Sequence, residues 1–560
     1  MAMSFDTEGD ADGRPAGRGP KDVLRCLALY TKTLRDVQTL VPNRLRDALA
    51  ALKKDALLAD ASLRAMEGLR LDVYKRWCGD EIQYFTPFIR HDDLDLEQAK
   101  DMLMSWAKEG SAVLLKGLEK TLDSMTEFKA IVDLRTSVLK LWIQEGSKAR
   151  GFDPSILQNQ IRDVINNHML EVLETKVAKL RLVGSEVSAA LDAWKEGTTD
   201  KHPSLWDVGS FDTDLSNGAA QFTQDVVSRL YGRSDAVSKA VTCYQSWYHV
   251  IDDVATVVDQ LRRQRWDNDV DEIEDEETIE ERQKLLAKED PQKLSAYLNS
   301  SLVKAFRNLD EHLDLLWKSH QDTPSKGAIA TYLLRVLRDI RSRLPEELDS
   351  VKTFGLGAVP SLQEALVSEV IVAPLDELAT GALARKAVAG RSLWEGTPEL
   401  PTNPSPVIFR FLRNLSIGMG DAGGDLWSPA ALAVLKRQLR AEISKLWLEA
   451  VGAVEKEAKT KPDLSEDAEV SPAEDEEKLP EERAPEASST EEQRRDLFVQ
   501  WLFDICYLES SLDSPGTTDD LKALEDAVSQ KTGLDSAARD KVVKSSQEYW
   551  KRTSLLFGLL

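Results

Sequence analysis

The chain has 560 residues, 42% hydrophobic and 30% charged, with a formal net charge of −24. Roughly three or four domains fit that length, and the acidic balance excludes duplex nucleic acid and a broad basic membrane-binding face as general partners, because phosphate binding needs a basic footprint. Cys26, Cys78, Cys243 and Cys506 lie far apart with no CxxC, which excludes a zinc ribbon or dithiol motif and suits a reducing compartment.

Residues 1–20 are polar and rich in Gly and Asp, without the apolar stretch of a secretory signal, and are expected to be disordered. Helical periodicity then dominates, and alternating strands with hairpin turns are not found. Over 21–265 the pattern predicts helices at 21–41, 43–76, 95–147, 154–195 and 216–265. An acidic linker is expected at 266–277. A second helical region, 278–459, is read as helices 278–288, 291–321, 325–349, 360–391, 405–417 and 428–459. Leu309, Leu313 and Leu316, and later Leu333, Leu334, Leu337 and Ile340, show the helical spacing that marks these stretches.

A second acidic linker is expected at 460–492. Residues 462–492 hold 13 acidic and 2 basic side chains with four prolines, a composition that repels itself and buries too little apolar surface to fold. A C-terminal region, 493–560, follows with helices at 493–512, 517–531 and 536–557. Ser428 before Pro429 reads as a helix N-cap, and Gly533 as a left-handed helix stop. The fold class is all-α, an elongated rod of successive helical bundles. No run of about 18 apolar residues occurs, so any membrane association is expected to be peripheral.

Motifs for chemistry are incomplete. Gly418-Met419-Gly420-Asp421-Ala422-Gly423 fits GxGxxG, but a dinucleotide site needs a strand before it and a helix opening on it. The reading here is a loop between two helices. Asp267, Asp269 and Asp271 imitate an EF-hand start, yet Glu272 stands at the turn glycine and Thr278 at the bidentate acid. Asp252-Asp253 sits on a helical pattern without the third Asp of a diphosphate-binding patch. His91-Asp92-Asp93 with Asp95 reads as a polar cap after an apolar segment. No HExxH, GxSxG or P-loop is present. The expectation is a protein that is not an enzyme, with no catalytic residues, cofactor or metal.

The most informative segment is Leu497–Leu508, LFVQWLFDICYL, in which Gln500 and Asp504 alone are strongly polar. A helix apolar nearly all round must be buried on most sides, in its own core or against a partner. The chain then runs to an apolar cluster, Tyr549-Trp550-Lys551-Arg552-Thr553-Ser554-Leu555-Leu556-Phe557-Gly558-Leu559-Leu560, the mark of a docked terminus. Trp501 to Tyr507 is predicted to pack on the final helix near Trp550 and Phe557.

These two segments resemble the C-terminal region of subunit one of the conserved oligomeric Golgi (COG) complex. Leu502-Phe503-Asp504-Ile505-Cys506-Tyr507-Leu508 is similar to the family's helix, and Arg552-Thr553-Ser554-Leu555-Leu556-Phe557-Gly558-Leu559 to the run that follows it. Val359–Leu366 and Ile371–Leu378 look similar to fungal members. The resemblance covers about 150 residues. It implies a helical-rod vesicle tether, peripheral on the cytosolic face of Golgi membranes, supporting intra-Golgi retrograde transport. It further implies partners: the other COG subunits, especially subunit eight and the lobe of subunits two to four, with SNAREs and Rab GTPases met through the complex. The signature residues carried by the resemblance, as packing or partner contacts, are Trp501, Phe503, Ile505, Tyr507, Leu508, Trp550, Arg552, Ser554, Leu556 and Phe557. Members usually open with an assembly helix near Arg-Tyr-Arg-Asp-Leu, and this chain enters its first helix at Lys21 without that motif, so the segment is expected to be missing. The alternatives are another helical-rod tether subunit, of exocyst or Golgi-associated retrograde type, and a membrane-bending helical dimer.

Overall fold

The computed structural model describes residues 19–40, 96–146, 154–194, 219–266, 276–346, 348–384, 388, 391–460, 486–513 and 520–557, with isolated positions between 61 and 77. The described residues are helical and contain no strand, so the chain is all-α. Pairing of sheet type is limited there to an isolated bridge between Glu395 and Leu400. No described helix is long and apolar enough to cross a membrane. In chain order the α-helices are α1 (Pro20–Leu40), α2 (Leu96–Leu122), α3 (Phe128–Gly146), α4 (Pro154–Ala178), α5 (Arg181–Asp192), α6 (Ala220–Leu230), α7 (Asp235–Arg263) and α8 (Glu276–Gln283). They continue as α9 (Asp290–His320), α10 (Lys326–Arg341), α11 (Val359–Leu378), α12 (Pro406–Ala422), α13 (Pro429–Thr460), α14 (Glu486–Ser511), α15 (Asp520–Thr532) and α16 (Ser536–Thr553).

The chain forms two compact units, 1–180 with 246–305 and 181–245 with 306–560. In the first unit α1 packs on α2 and α3, and α4 on both of these. The buried positions follow helical spacing: Val23, Leu27, Tyr30 and Leu34 on α1, and Leu157, Ile161, Ile165, Met169 and Leu173 on α4. Each such side chain contributes about 1.5–3 kcal/mol by leaving water. Tyr30 stacks between Trp106 and Trp142 and donates its hydroxyl to the Ala107 carbonyl at 2.9 Å. Arg135 is fully buried and pairs with Asp290 at 2.6 Å, with Arg162 3.8 Å from the same carboxylate. Burial depresses the pKa of Arg135, and Asp290 opposes that shift.

In the second unit α11 is central, packing on α10, α12 and α13. Its buried residues are nearly all apolar, as a helix covered by three neighbours requires. Arg335 of α10, 5% exposed, makes a two-pronged pair with Asp425, Nε to Oδ2 at 3.2 Å and Nη2 to Oδ1 at 3.1 Å. It also donates to the Ala422 carbonyl that ends α12, at 3.0 Å. Arg338 reaches the same Asp425, and the two arginines hold its carboxyl below the usual range against the cost of burial. The Arg335 guanidinium lies between Gly232 and Gly423, which both have positive φ and leave no room for a Cβ.

The structure divides the chain differently from the contiguous domains 21–265, 278–459 and 493–560. Residues 181–245 belong with the later helices because Arg233 pairs with Asp339 at 2.8 Å, Trp194 packs on Tyr332, and Gly184 fits against Leu309 and His312. Residues 486–557 share one core with α11, α12 and α13. Helix α14 starts at Glu486, inside the expected linker 460–492, and residues 461–485 lie outside the described residues. Likewise α8 starts at Glu276, inside the expected linker 266–277, of which 267–275 lie outside. Residues 1–18 and most of the expected helix at 43–76 also lie outside, as do His91, Asp92, Asp93 and Asp95, and Asp267, Asp269 and Asp271.

Several expected helices are divided or joined. The stretch 95–147 breaks after Leu122, where Met125 N–H bonds to the Leu122 carbonyl at 2.7 Å and Ser124 caps the Thr121 carbonyl. The stretch 154–195 breaks in a tight turn at Lys179 and Leu180. The stretch 216–265 breaks at Gly232, φ +62°. Helices 278–288 and 291–321 are joined by a π turn, Lys284–Glu289, because Pro291 lacks an N–H and the ladder widens ahead of it, Asp290 bonding back to Leu285. Helix 325–349 ends at Arg341 and 360–391 at Leu378, the latter followed by a π turn, Ala379–Leu383. The expected N-cap at Ser428 accepts from Ala431 N–H at 3.3 Å, and Gly533 has φ +62°.

The GxGxxG segment does not form the expected loop. Gly418 to Ala422 are the last turn of α12, and Gly423 with φ +121° ends the helix by donating to the carbonyls of Met419 and Gly420. The segment is a helix terminus and not a loop, because Met419 is fully buried and anchors that turn in the core.

Candidate functional site

Helix α14 carries most of the signature residues, and the second unit closes around it. Every residue from Leu497 to Leu508 is buried, none more than 5% exposed. Its apolar circumference is met by α15 and α16 along its length and by Trp447 of α13 against Trp501. Leu508 and Ile505 lie in the same core as Leu435, Leu439 and Ile443 of α13. Within the described residues the chain itself therefore covers these side chains.

The two polar residues of Leu497–Leu508 have a purpose. Asp504 accepts from the backbone N–H of Ser405 at 2.7 Å and from Gln500 Nε2 at 3.1 Å. Gln500 Nε2 also donates to the Asn403 carbonyl at 3.1 Å. Together they hold residues 403–405, the lead into α12, whose N-cap is Ser405. Burial pushes the Asp504 carboxyl up to about 7 despite these donors. Further along the same connection, Arg391 pairs with Asp496 at 2.6 Å and Glu399 at 2.6 Å, its guanidinium 4.3 Å above the Trp394 ring.

At the C-terminal end of α14 the rings converge. Tyr507 meets Trp550 edge-on at 5.5 Å and Tyr549 at 5.9 Å, and its hydroxyl lies 2.8 Å from Thr553 Oγ1. Trp550 stacks on Phe557 at 6.3 Å, and Phe409 of α12 touches Tyr507, Tyr549 and Phe557. Such ring pairs add about 0.5–1.5 kcal/mol each beyond burial.

The structure thus brings Tyr507, Trp550 and Phe557 together. It places Trp501 elsewhere, in a separate ring group with Phe498 and Trp447, because the six residues from Trp501 to Tyr507 span about 9 Å of α14 and set the two ends of the predicted contact apart. Phe503, Ile505 and Leu508 are buried in the core. Ser554 is half-buried and Arg552 exposed. Leu556 is 69% exposed and its neighbour Leu555 92%, so this terminal turn presents apolar side chains to solvent. Phe409 was not singled out in the sequence, where it is one of several apolar residues in Val407–Ile417. Asp504 and Gln500 were visible as the two polar residues of an apolar helix, but their partners were not.

The arrangement is a packed joint of buried side chains. Burial raises the pKa of the Cys506 thiol. Among the described residues no group of three or more His, Cys, Asp or Glu side chains could hold a metal ion. Asp252 and Asp253 are exposed on α7. No protein-family model, curated protein or solved structure matches the chain.

Proposed function

We propose that the chain is a non-enzymatic subunit of a multisubunit vesicle-tethering complex at the Golgi, corresponding to subunit one of the COG complex. In this reading it is peripheral on the cytosolic face and scaffolds subunit assembly for intra-Golgi retrograde transport. The observation that carries it is the ordered pair of segments, Leu502–Leu508 and Arg552–Leu559, that gives the resemblance. What supports it physically is that the two segments form one joint through Tyr507, Thr553, Trp550 and Phe557. A pattern that serves packing and a turn that exposes Leu555 and Leu556 both suit a scaffold. Helical tethers spend binding energy on proximity and effective concentration and need no bond chemistry.

Affinity purification from the native host, with identification of the co-purifying chains, tests the proposal. Recovery of other COG subunits, subunit eight above all, is expected. Recovery of exocyst or Golgi-associated retrograde subunits in their place, or of no partner at all, overturns it.

A further inference from the structure

The second unit holds a groove of about 470 Å³ bordered by α10, α11 and α12. Its floor is one face of α11: Leu366, Val370, Ala373 and Glu377, spaced as successive turns over about 16 Å of helix. Thr331 of α10 lines one wall, and Ile417, Gly418 and Asp421 of α12 line the other. A volume of this size lies in the range of ligand sites, but its length along α11 matches another helix better than a compact small molecule.

Three features say what the groove accepts. First, it is anionic. Glu369, Glu377 and Asp421 line it, and the lining cation Arg335 is committed to Asp425 and the Ala422 carbonyl. Glu377 takes the Asn414 amide, whereas Glu369 and Asp421 make no ion pair with the described residues. Glu369 lies against Gly327, where a Cβ would collide with its carboxylate. Second, the groove sets polar groups among apolar walls. Pro374, inside α11, has no N–H to offer the Val370 carbonyl. Thr331, 8% exposed, makes no side-chain hydrogen bond to the described residues. Third, Ala373 keeps the floor low, Gly418 adds no side chain to the α12 wall, and Ile417 stands 48% exposed at the rim.

We infer that this groove seats an amphipathic helix of a partner protein carrying Lys or Arg. Its apolar face lies on Val370, Ala373 and Ile417, and its cations meet Glu369, Glu377 and Asp421. Apolar anchors one or two turns apart, flanked by complementary charge, are the usual terms of helix-in-groove recognition. The inference stands on the groove alone and does not rest on the Golgi reading.

The test uses the full chain and a fluorescein-labelled synthetic helix, leucine along one face and lysine flanking it, read by anisotropy at physiological ionic strength. Binding is expected, weakened about tenfold or more by Glu369→Gln with Asp421→Asn, as befits loss of paired charge. Ala373→Trp, which fills the floor and leaves the charge unchanged, is expected to weaken it as much. Should that variant lower the melting temperature, Ile417→Lys at the exposed rim replaces it, with the same expectation. Asp252→Asn with Asp253→Asn removes equal charge from an exposed helix face and is expected to leave binding unchanged. Equal weakening by this control, or unchanged binding in the groove variants, overturns the proposal. So does displacement of the probe by spermine at concentrations below the probe's own Kd, which assigns the groove to small organic cations.

Discussion

The Tyr507 hydroxyl lies 2.8 Å from Thr553 Oγ1, a hydrogen bond that joins α14 to α16. Thr553 in turn donates to the Tyr549 carbonyl at 2.9 Å, so the side-chain bond is anchored in the backbone of the last helix. Removing only the hydroxyl, by Tyr507→Phe, keeps every ring contact. It is expected to cost about 1 kcal/mol. Phe557→Ala empties the ring cluster and is expected to cost about 3–5 kcal/mol. Urea unfolding followed by tryptophan fluorescence measures both, and equal effects would contradict the geometry.

Asp504 predicts a pH dependence. Burial pushes its folded carboxyl up to about 7, from the ordinary aspartate value of about 3.9. Between those values the folded chain holds a proton that the unfolded chain has lost. Stability from this group is therefore greatest at low pH, falls as pH rises toward 7, and is flat above it. Asp504→Asn removes the titration. The difference in melting temperature between variant and parent should shift in favour of the variant from pH 5 to pH 8. A constant difference across that range would show that Asp504 ionises normally.

The arginine cradle predicts opposite effects from two neighbouring glycines. Gly423 has φ +121°, and a Cβ there would lie 2.2 Å from Arg335 Nη2. Gly423→Ala is expected to destabilise by about 1–3 kcal/mol. Gly420, three residues earlier and inside α12, has open space around it. Gly420→Ala is expected to stabilise by about 0.5–1 kcal/mol, because alanine loses less backbone entropy in a helix. Denaturant midpoints with unchanged slopes would separate the two.

The buried pair of the first unit predicts non-additivity. Arg135 and Asp290 are 0% and 2% exposed. Asp290→Asn or Arg135→Met alone leaves an uncompensated group and is expected to cost about 3–5 kcal/mol. Arg135→Met with Asp290→Leu removes both charges and is expected to cost less than the sum. A double-mutant cycle by calorimetry gives the coupling, and simple additivity would argue that Arg162 alone satisfies Asp290.

The exposed terminal leucines bear on assembly. Leu555→Ser with Leu556→Ser touches no described core and is expected to change stability by under about 0.5 kcal/mol. Under the proposed function it lowers the amount of partner recovered by co-purification. Undiminished recovery would remove the terminal turn as a contact.

Class and most helix positions were legible from periodicity alone, as in the four-residue rhythm of α4. The caps at Ser428 and Gly533 were legible too, because their chemistry is local. What could not be read was set by distant residues. The break after Leu122 contains neither Pro nor Gly. Gly418 to Ala422 look like a loop until Met419 is seen buried. The fit of Arg335 between Gly232 and Gly423 joins positions far apart in the chain, which no local pattern announces. For α14 the sequence required cover, and the structure shows the cover coming from α13, α15 and α16 of the same chain.

The enclosure of α14 has a consequence for biosynthesis. A nascent chain that has emerged only to Thr460 contains α11, α12 and α13 but lacks the helix that covers Trp447. Until the ribosome has released residues 486–511, that tryptophan and its apolar neighbours have no permanent lining, and the half-made unit is a natural client for chaperones. Translation stopped within the acidic stretch before Glu486 would yield a sticky fragment in place of a smaller working domain.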